Sequence, residues 1–157
     1  MLRLDTDADL IKSDEGYRAT VYVDATGKPI GPGSTVIGHP TIGWGIRLDG
    51  SGLTVPEAQA LIDSRLALAR GDASQLLGIG AWSLLGSPRR AALTNMAYTM
   101  GRERLSEFTD LLAAIRSSDW PGAKAAVLDS KWAIDEAPAR ARRIADMLLT
   151  GNWPAAA

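Results

Sequence analysis

Apolar and polar positions recur with two different periods along this 157-residue chain. Leu4, Ala8, Ile11 and Glu15 follow a helical spacing, with Asp5 or Thr6 as the cap and Gly16 as the stop. A helix ending at or just before Glu15 is therefore predicted. From Arg18 to Asp24, RATVYVD is rich in β-branched and aromatic residues and runs into the turn signal DATGKP, so it reads as a strand. TIGWGIRL, residues 41–48, reads as a second strand, with glycines that let backbone approach a neighbour or a ligand. Between them, residues 27–40 hold four glycines and three prolines. That stretch is too broken for more than a short strand at Ser34 to Ile37, and it reads as a long loop or hairpin at a mouth.

After Gly52 the period changes. Thr54 and Glu57 form a capping box with Pro56 in the first turn, and Val55, Ala58, Ile62, Leu66 and Ala69 then recur at helical spacing, predicting a helix over 55–76. Ser87 and Pro88 open another helix, PRRAALTNMAYTM. Its face of Leu93, Met96, Ala97 and Met100 is too apolar for a surface helix, so it is expected at the centre of a bundle. Further helices are predicted near 106–117, 119–130 and 138–149, the last with Ala141, Ile144 and Leu148 inward. The expected fold class is α+β, mainly helical and two-lobed. A single catalytic domain over 1–157 would comprise a small N-terminal lobe with a β-sheet (1–53), a connecting helix (54–76) and a helical lobe (77–157), with a cleft between the lobes as the natural ligand site.

Composition narrows the chemistry. The chain has no cysteine and one histidine, which leaves no disulfide, thiolate nucleophile or histidine cluster, and no metal or cofactor is implied. A net charge of −1 gives no basic footprint for nucleic acid. No apolar run approaches a membrane span, and the acidic N-terminus MLRLDTDADL is unlike a signal peptide, so a soluble protein made in the cytoplasm is expected. Arg140 and Arg143 share one side of their helix while Arg142 points elsewhere, so no stable membrane binding is expected.

Carboxylates remain as the proton-transfer groups of suitable strength. A pair of them is what glycoside hydrolysis uses, one protonating the leaving oxygen and the other staying ionised to activate water or to stabilise an oxocarbenium-like transition state. The two roles need different surroundings. Glu15, at a helix end, is expected to be the sheltered member, and Asp24, beside a Gly-rich turn, the wetter one. Their spacing carries little weight by itself, since acidic side chains are mostly solvated surface charges.

The order of motifs carries more. EGYR, then VYVD followed by T-G, then TIGWG and a capped helix, then RRAALTNMAYTMG (89–101), Phe108-Thr109, Trp120, SKW (130–132), P-x-R-A-x-R (138–143) and TGNW (150–153) cover nearly the whole chain. This succession resembles the phage-type lysozymes of glycoside hydrolase family 24. The resemblance implies cleavage of the β-1,4 bond between N-acetylmuramic acid and N-acetylglucosamine in peptidoglycan. It places the catalytic groups on Glu15 as general acid, with Asp24 and Thr41 orienting water or stabilising charge. It further implies a phage or prophage endolysin, monomeric, held in the host cytoplasm until a holin-type pore, a virion or a secretion system gives it access to the cell wall. Two departures from the family pattern stand out: the insertion between Asp24 and Thr41, and Ile46 where the T-even phage member has histidine.

Other residues are weighed against blander roles. Trp44 offers a flat ring for stacking on sugar, and Tyr98 on the central helix is expected to line the cleft. Arg140 matches the family's arginine near the catalytic glutamate, against the alternative of a solvated helix face. His39 reads as an incidental loop histidine, Met96 and Met100 as core, and Trp82, Trp120, Trp132 and Trp153 as core or lobe-edge packing. Two rival functions remain open. One is a lytic transglycosylase, which needs one glutamate and no placed water; the other is a non-catalytic peptidoglycan-binding module or virion structural part.

Overall fold

The computed structural model describes residues 6–50 and 52–154, and the expectations that fall on Leu4, Asp5 and the tail beyond Pro154 lie outside the described residues. The fold is mainly helical α+β with a small antiparallel sheet. Its contacts divide the chain into two compact units, one up to Gln59 and one from Ala60 onward.

In the first unit, α1 (Asp7–Glu15) is capped by Thr6, whose hydroxyl accepts from the Asp9 N–H at 3.1 Å, and it stops at Gly16, where φ is +67°. Strands β1 (Arg18–Val23), β2 (Pro40–Gly43) and β3 (Ile46–Arg47) form a sheet in that order. The expected single strand over 41–48 is instead a hairpin. Gly43 and Gly45 take φ of +67° and +70°, turn the chain at Trp44, and pair Thr41 with Arg47 and Ile42 with Ile46.

The insertion does not disturb this ladder, because it uses the free edge of β1. Val23 donates to the Lys28 carbonyl and Ile30 to the Val21 carbonyl, both at 2.9 Å, so residues 28–30 cover the outer edge of β1 while β2 occupies the inner one. The chain returns at His39, and Tyr22 pairs with Thr41. The short strand expected at Ser34 to Ile37 does not form: with residues 28–30 on one side of β1 and β2 on the other, β1 offers that segment no ladder.

Helix α2 (Val55–Leu77) starts with the expected capping box, the Glu57 carboxylate accepting from the Thr54 N–H at 2.8 Å and from its hydroxyl at 2.6 Å. Its predicted apolar stripe packs only toward the C-terminal end: Val55 is 83% exposed, while Ala69, Ala73 and Leu77 are buried. Then come α3 (Ile79–Leu84), which has no counterpart among the predicted helices, and α4 (Ser87–Ser106), kinked at Gly101. They are followed by α5 (Thr109–Arg116), α6 (Trp120–Leu128), a π-helical turn (Trp132–Glu136) and α7 (Pro138–Thr150).

Within the second unit, Leu93 and Met96 of α4, Leu111 of α5, Val127 of α6, Trp132 and the Ala141, Ile144 and Leu148 face of α7 form one buried cluster. The expected inner faces of α4 and α7 are thus borne out. Trp153 departs from the packing expected of it and is 60% exposed. No helix among the described residues is long and apolar enough to cross a membrane.

Candidate active site

Glu15 is the last residue of α1, a helix with no buried side chain. Its carboxylate lies against the β2–β3 turn, so close to Gly45 that a Cβ there would stand 2.5 Å from Glu15 Oε2. The same turn carries Trp44, whose ring meets Tyr17 at a centroid distance of 4.9 Å and an angle of 50°, with Lys12 Nζ 5.0 Å from its centroid. Lys12, Glu15 and Tyr17 therefore grip one glycine-flanked turn. Trp44 sits at the tip of the turn, not within a strand, and is 39% exposed. Glu15 is itself exposed, in contrast to the sheltered position expected, since a short helix seated on a bare glycine covers little of the carboxylate.

Asp24, directly after β1, is held on several sides. Its Oδ1 accepts from the His39 N–H at 2.8 Å and from the Ala25 N–H at 2.6 Å, and Arg47 Nη2 lies 3.3 Å from Oδ2. The His39 N–H is the main cause that keeps this carboxyl below its ordinary value. It prevails over partial desolvation, with the Ala25 N–H and the charges of His39 and Arg47 adding to it. These contacts favour the carboxylate form of Asp24, but with 26% of its side chain accessible it is half-buried and is not the wetter of the two residues, in contrast to the expectation, because the end of the insertion and β3 close over it.

Thr41 is 2% exposed, and its hydroxyl donates to the His39 carbonyl at 3.1 Å. That carbonyl also accepts from the Asp24 N–H at 3.0 Å. In the ladder Thr41 stands between Tyr22 and Arg47, and Asp24 lies two positions beyond Tyr22. Because the Thr41 proton is committed to His39, the hydroxyl oxygen presents only lone pairs to anything else it meets.

Glu15, Asp24, Thr41 and Trp44 are therefore linked within the first unit. The path runs from Glu15 to the Gly45 turn, along β2 and β3, and through Arg47 to Asp24. Arg47 and His39 are the partners that sequence reasoning missed. Arg47 becomes a neighbour of Asp24 only once the turn at Trp44 is located, and the signal for that turn was the pair of glycines around it.

The two remaining candidates belong to the second unit. Tyr98 is exposed on α4 and, with Arg65, Leu68 and Asp72, lines an open groove of about 450 Å³. Arg140, in the first turn of α7, donates to Thr99 Oγ1 at 2.8 Å, next to Tyr98 in sequence.

Residues 12–143, a span that includes all six candidates, match the sequence model of the phage lysozyme family. The chain belongs to the phage lysozyme family. It is 31% identical over 160 residues to the pre-baseplate central spike protein Gp5 of Enterobacteria phage T4, covering 92% of this chain and 28% of that protein. It is 27% identical over 161 residues to a probable T4-type lysozyme 2 of Dictyostelium discoideum, covering 92% and 94%. The chain thus spans little more than a quarter of the spike protein and nearly all of the Dictyostelium one. The phage lysozyme family is one of peptidoglycan-lytic enzymes of the glycoside hydrolase type.

Proposed function

We propose that this phage lysozyme hydrolyses the β-1,4 bond between N-acetylmuramic acid and N-acetylglucosamine in bacterial peptidoglycan, as an endolysin-type muramidase acting in host cell lysis. The observation that carries the reading is the unequal treatment of two carboxylates in one small unit. Asp24 is held by two backbone N–H groups and Arg47, which favour its ionised form, whereas Glu15 is an exposed residue whose carboxylate rests against a glycine turn.

In this reading Glu15 gives its proton to the leaving glycosidic oxygen. A water donates one hydrogen to the Asp24 carboxylate and the other to the Thr41 oxygen, whose own proton is already given to His39. The water's lone pair is then directed at the anomeric carbon, and Asp24 takes up the proton as the bond forms. Trp44 flanks the acid and stacks on a sugar ring. Tyr98 and Arg140 supply further contacts to the glycan strand. No metal or cofactor takes part, and the protein works as a monomer. It accumulates in the host cytoplasm, and a holin-type pore gives it access to the wall.

The test is digestion of purified peptidoglycan with reducing-end analysis of the products. Wild type is expected to release reducing N-acetylmuramic acid. Glu15→Gln is expected to lose on the order of 10²–10⁴-fold in rate, and Asp24→Asn and Thr41→Ala to lose activity with the fold retained. Anhydromuramyl products would establish the transglycosylase instead, and full activity in Glu15→Gln would remove the acid. The match to a phage spike protein favours one second reading, in which the same chemistry is delivered on a virion and not through a pore.

A further inference from the structure

We infer that His39, through its contact with Asp49, is a positioning residue that sets Asp24 and Thr41 together; the inference rests on the reading of those two as the water-orienting pair. The main chain of His39 touches both. Its N–H donates to Asp24 Oδ1 at 2.8 Å, and its carbonyl accepts from the Asp24 N–H at 3.0 Å and from the Thr41 hydroxyl at 3.1 Å. A rotation of residue 39 therefore disturbs the carboxylate and the hydroxyl at once.

On one side the neighbouring residue is a glycine packed closely against Asp24 and Val23. Gly38 has φ of +117°, and a Cβ there would stand 2.9 Å from Asp24 Oδ1 and 3.0 Å from Val23 Cγ1. The insertion therefore reaches His39 through a residue with no side chain to hold it. Pro40 on the other side begins β2. Besides its three main-chain bonds, residue 39 is tied by its ring, whose Nδ1 lies 2.8 Å from Asp49 Oδ2. An ionised carboxylate can only accept, so Nδ1 carries the proton in this pair.

Asp49 follows β3, and β3 supplies the Arg47 that reaches Asp24 Oδ2 at 3.3 Å. The contacts close a ring from Asp24 to His39, Asp49, β3, Arg47 and back to Asp24. The long insertion joins this ring through His39. Both members of the His39–Asp49 pair are partly exposed, with 47% and 39% of the side chain accessible, so the expected effect is modest.

Four variants test the inference on purified peptidoglycan: His39→Ala, Asp49→Ala, the double variant, and His39→Asn, whose amide can donate from near the position of Nδ1. His39→Ala and Asp49→Ala are each expected to lower kcat about two- to fivefold with KM unchanged. The double variant should be no worse than either, and His39→Asn should recover most of the loss. Exchange of the Asp24 and His39 amide hydrogens, followed by NMR, should speed up in both alanine variants. An unchanged kcat in His39→Ala, multiplied losses in the double variant, or no recovery in His39→Asn overturns the positioning role. Glu15→Gln run alongside separates the two failures. If it is inactive while His39→Ala is at wild-type rate, only the present inference falls; if it is fully active, the proposed site itself falls, and unchanged amide exchange would then overturn the clamp as well.

Discussion

Gly45 and Glu15 are packed so that one excludes a side chain on the other: a Cβ on Gly45 would meet Glu15 Oε2 at 2.5 Å and Cδ at 2.8 Å. The φ of +70° at Gly45 adds a backbone cost of about 1–2 kcal/mol for any L-residue. Gly45→Ala should therefore push the carboxylate off its seat while leaving the rest of the unit folded. Activity on peptidoglycan is expected to fall on the order of 10²-fold, mostly in kcat, since displacing a reacting group by about 1 Å costs that much. Gly50→Ala is the control, because a Cβ there meets nothing within 4 Å. A Gly45→Ala enzyme with wild-type kcat would mean that the position of Glu15 over the turn is immaterial.

Asp24 makes a prediction about acid. Its folded carboxyl titrates below the ordinary value, chiefly because of the His39 N–H, so in the unfolded chain it binds a proton more readily than in the folded one. The stabilisation it provides is complete above the ordinary carboxylate value and is lost as pH falls through the lowered folded one. Asp24→Asn should remove that part of the acid sensitivity. Arg47→Met should raise the Asp24 midpoint only slightly, because Arg47 is exposed and the smallest of the contributing causes. Carboxyl ¹³C shifts recorded between pH 7 and 2 follow both changes. A midpoint at or above the ordinary value in wild type would show that the two backbone donors do not hold the carboxylate.

Much of this arrangement was legible wherever one residue type has one local use. The Thr6 and Gly16 ends of α1, the Thr54–Glu57 capping box and the inner face of α7 follow from local hydrogen bonding and helical period. What escaped depends on pairing between distant segments. TIGWGIRL has strand composition throughout, and only the positive φ at Gly43 and Gly45 makes it a hairpin. The β-branched run that ends at Ile37 has the composition of a strand, but both edges of the neighbouring β1 are already taken. His39 has no distinguishing spacing, yet its main chain meets two site residues because the insertion ends beside Asp24. The apolar stripe of α2 is regular from Val55 onward, but a period states only which residues share a face and not where along the helix a neighbour begins.

Tyr17 extends the candidate surface beyond Trp44. It is 64% exposed, it follows the acid by two positions, and it contacts the Trp44 ring. An exposed aromatic ring beside the acid is suited to a sugar face, and loss of such a contact is worth about 0.5–1.5 kcal/mol. Tyr17→Ala should raise KM for glycan fragments about two- to tenfold with kcat little changed, and Tyr17→Phe should behave as wild type. Equal KM values for Tyr17→Ala and wild type would remove Tyr17 from the binding surface.

Three arginines of the second unit close helices other than their own. Arg116 donates to the Leu76 and Leu77 carbonyls at the end of α2, at 2.6 and 3.0 Å. Arg90 donates to Trp82 and Ser83 at the end of α3, at 3.1 and 2.7 Å, and Arg89 to Leu148 and Leu149 near the end of α7, at 2.8 and 3.2 Å. None of these three helices has a basic residue in its own last turn, so the borrowed guanidinium serves both the orphan carbonyls and the negative end of the dipole. A planar fork can hold two carbonyls where an ammonium holds them less well. Arg116→Ala is therefore expected to cost about 1–3 kcal/mol, and Arg116→Lys roughly half of that. Arg89→Ala should cost more than Arg116→Ala, because Arg89 also stacks on Trp120 at 3.6 Å from the ring centroid. Urea unfolding reads all three as a lower midpoint at constant slope. If Arg116→Lys unfolds at the wild-type midpoint, charge alone closes α2 and the two-carbonyl grip contributes nothing.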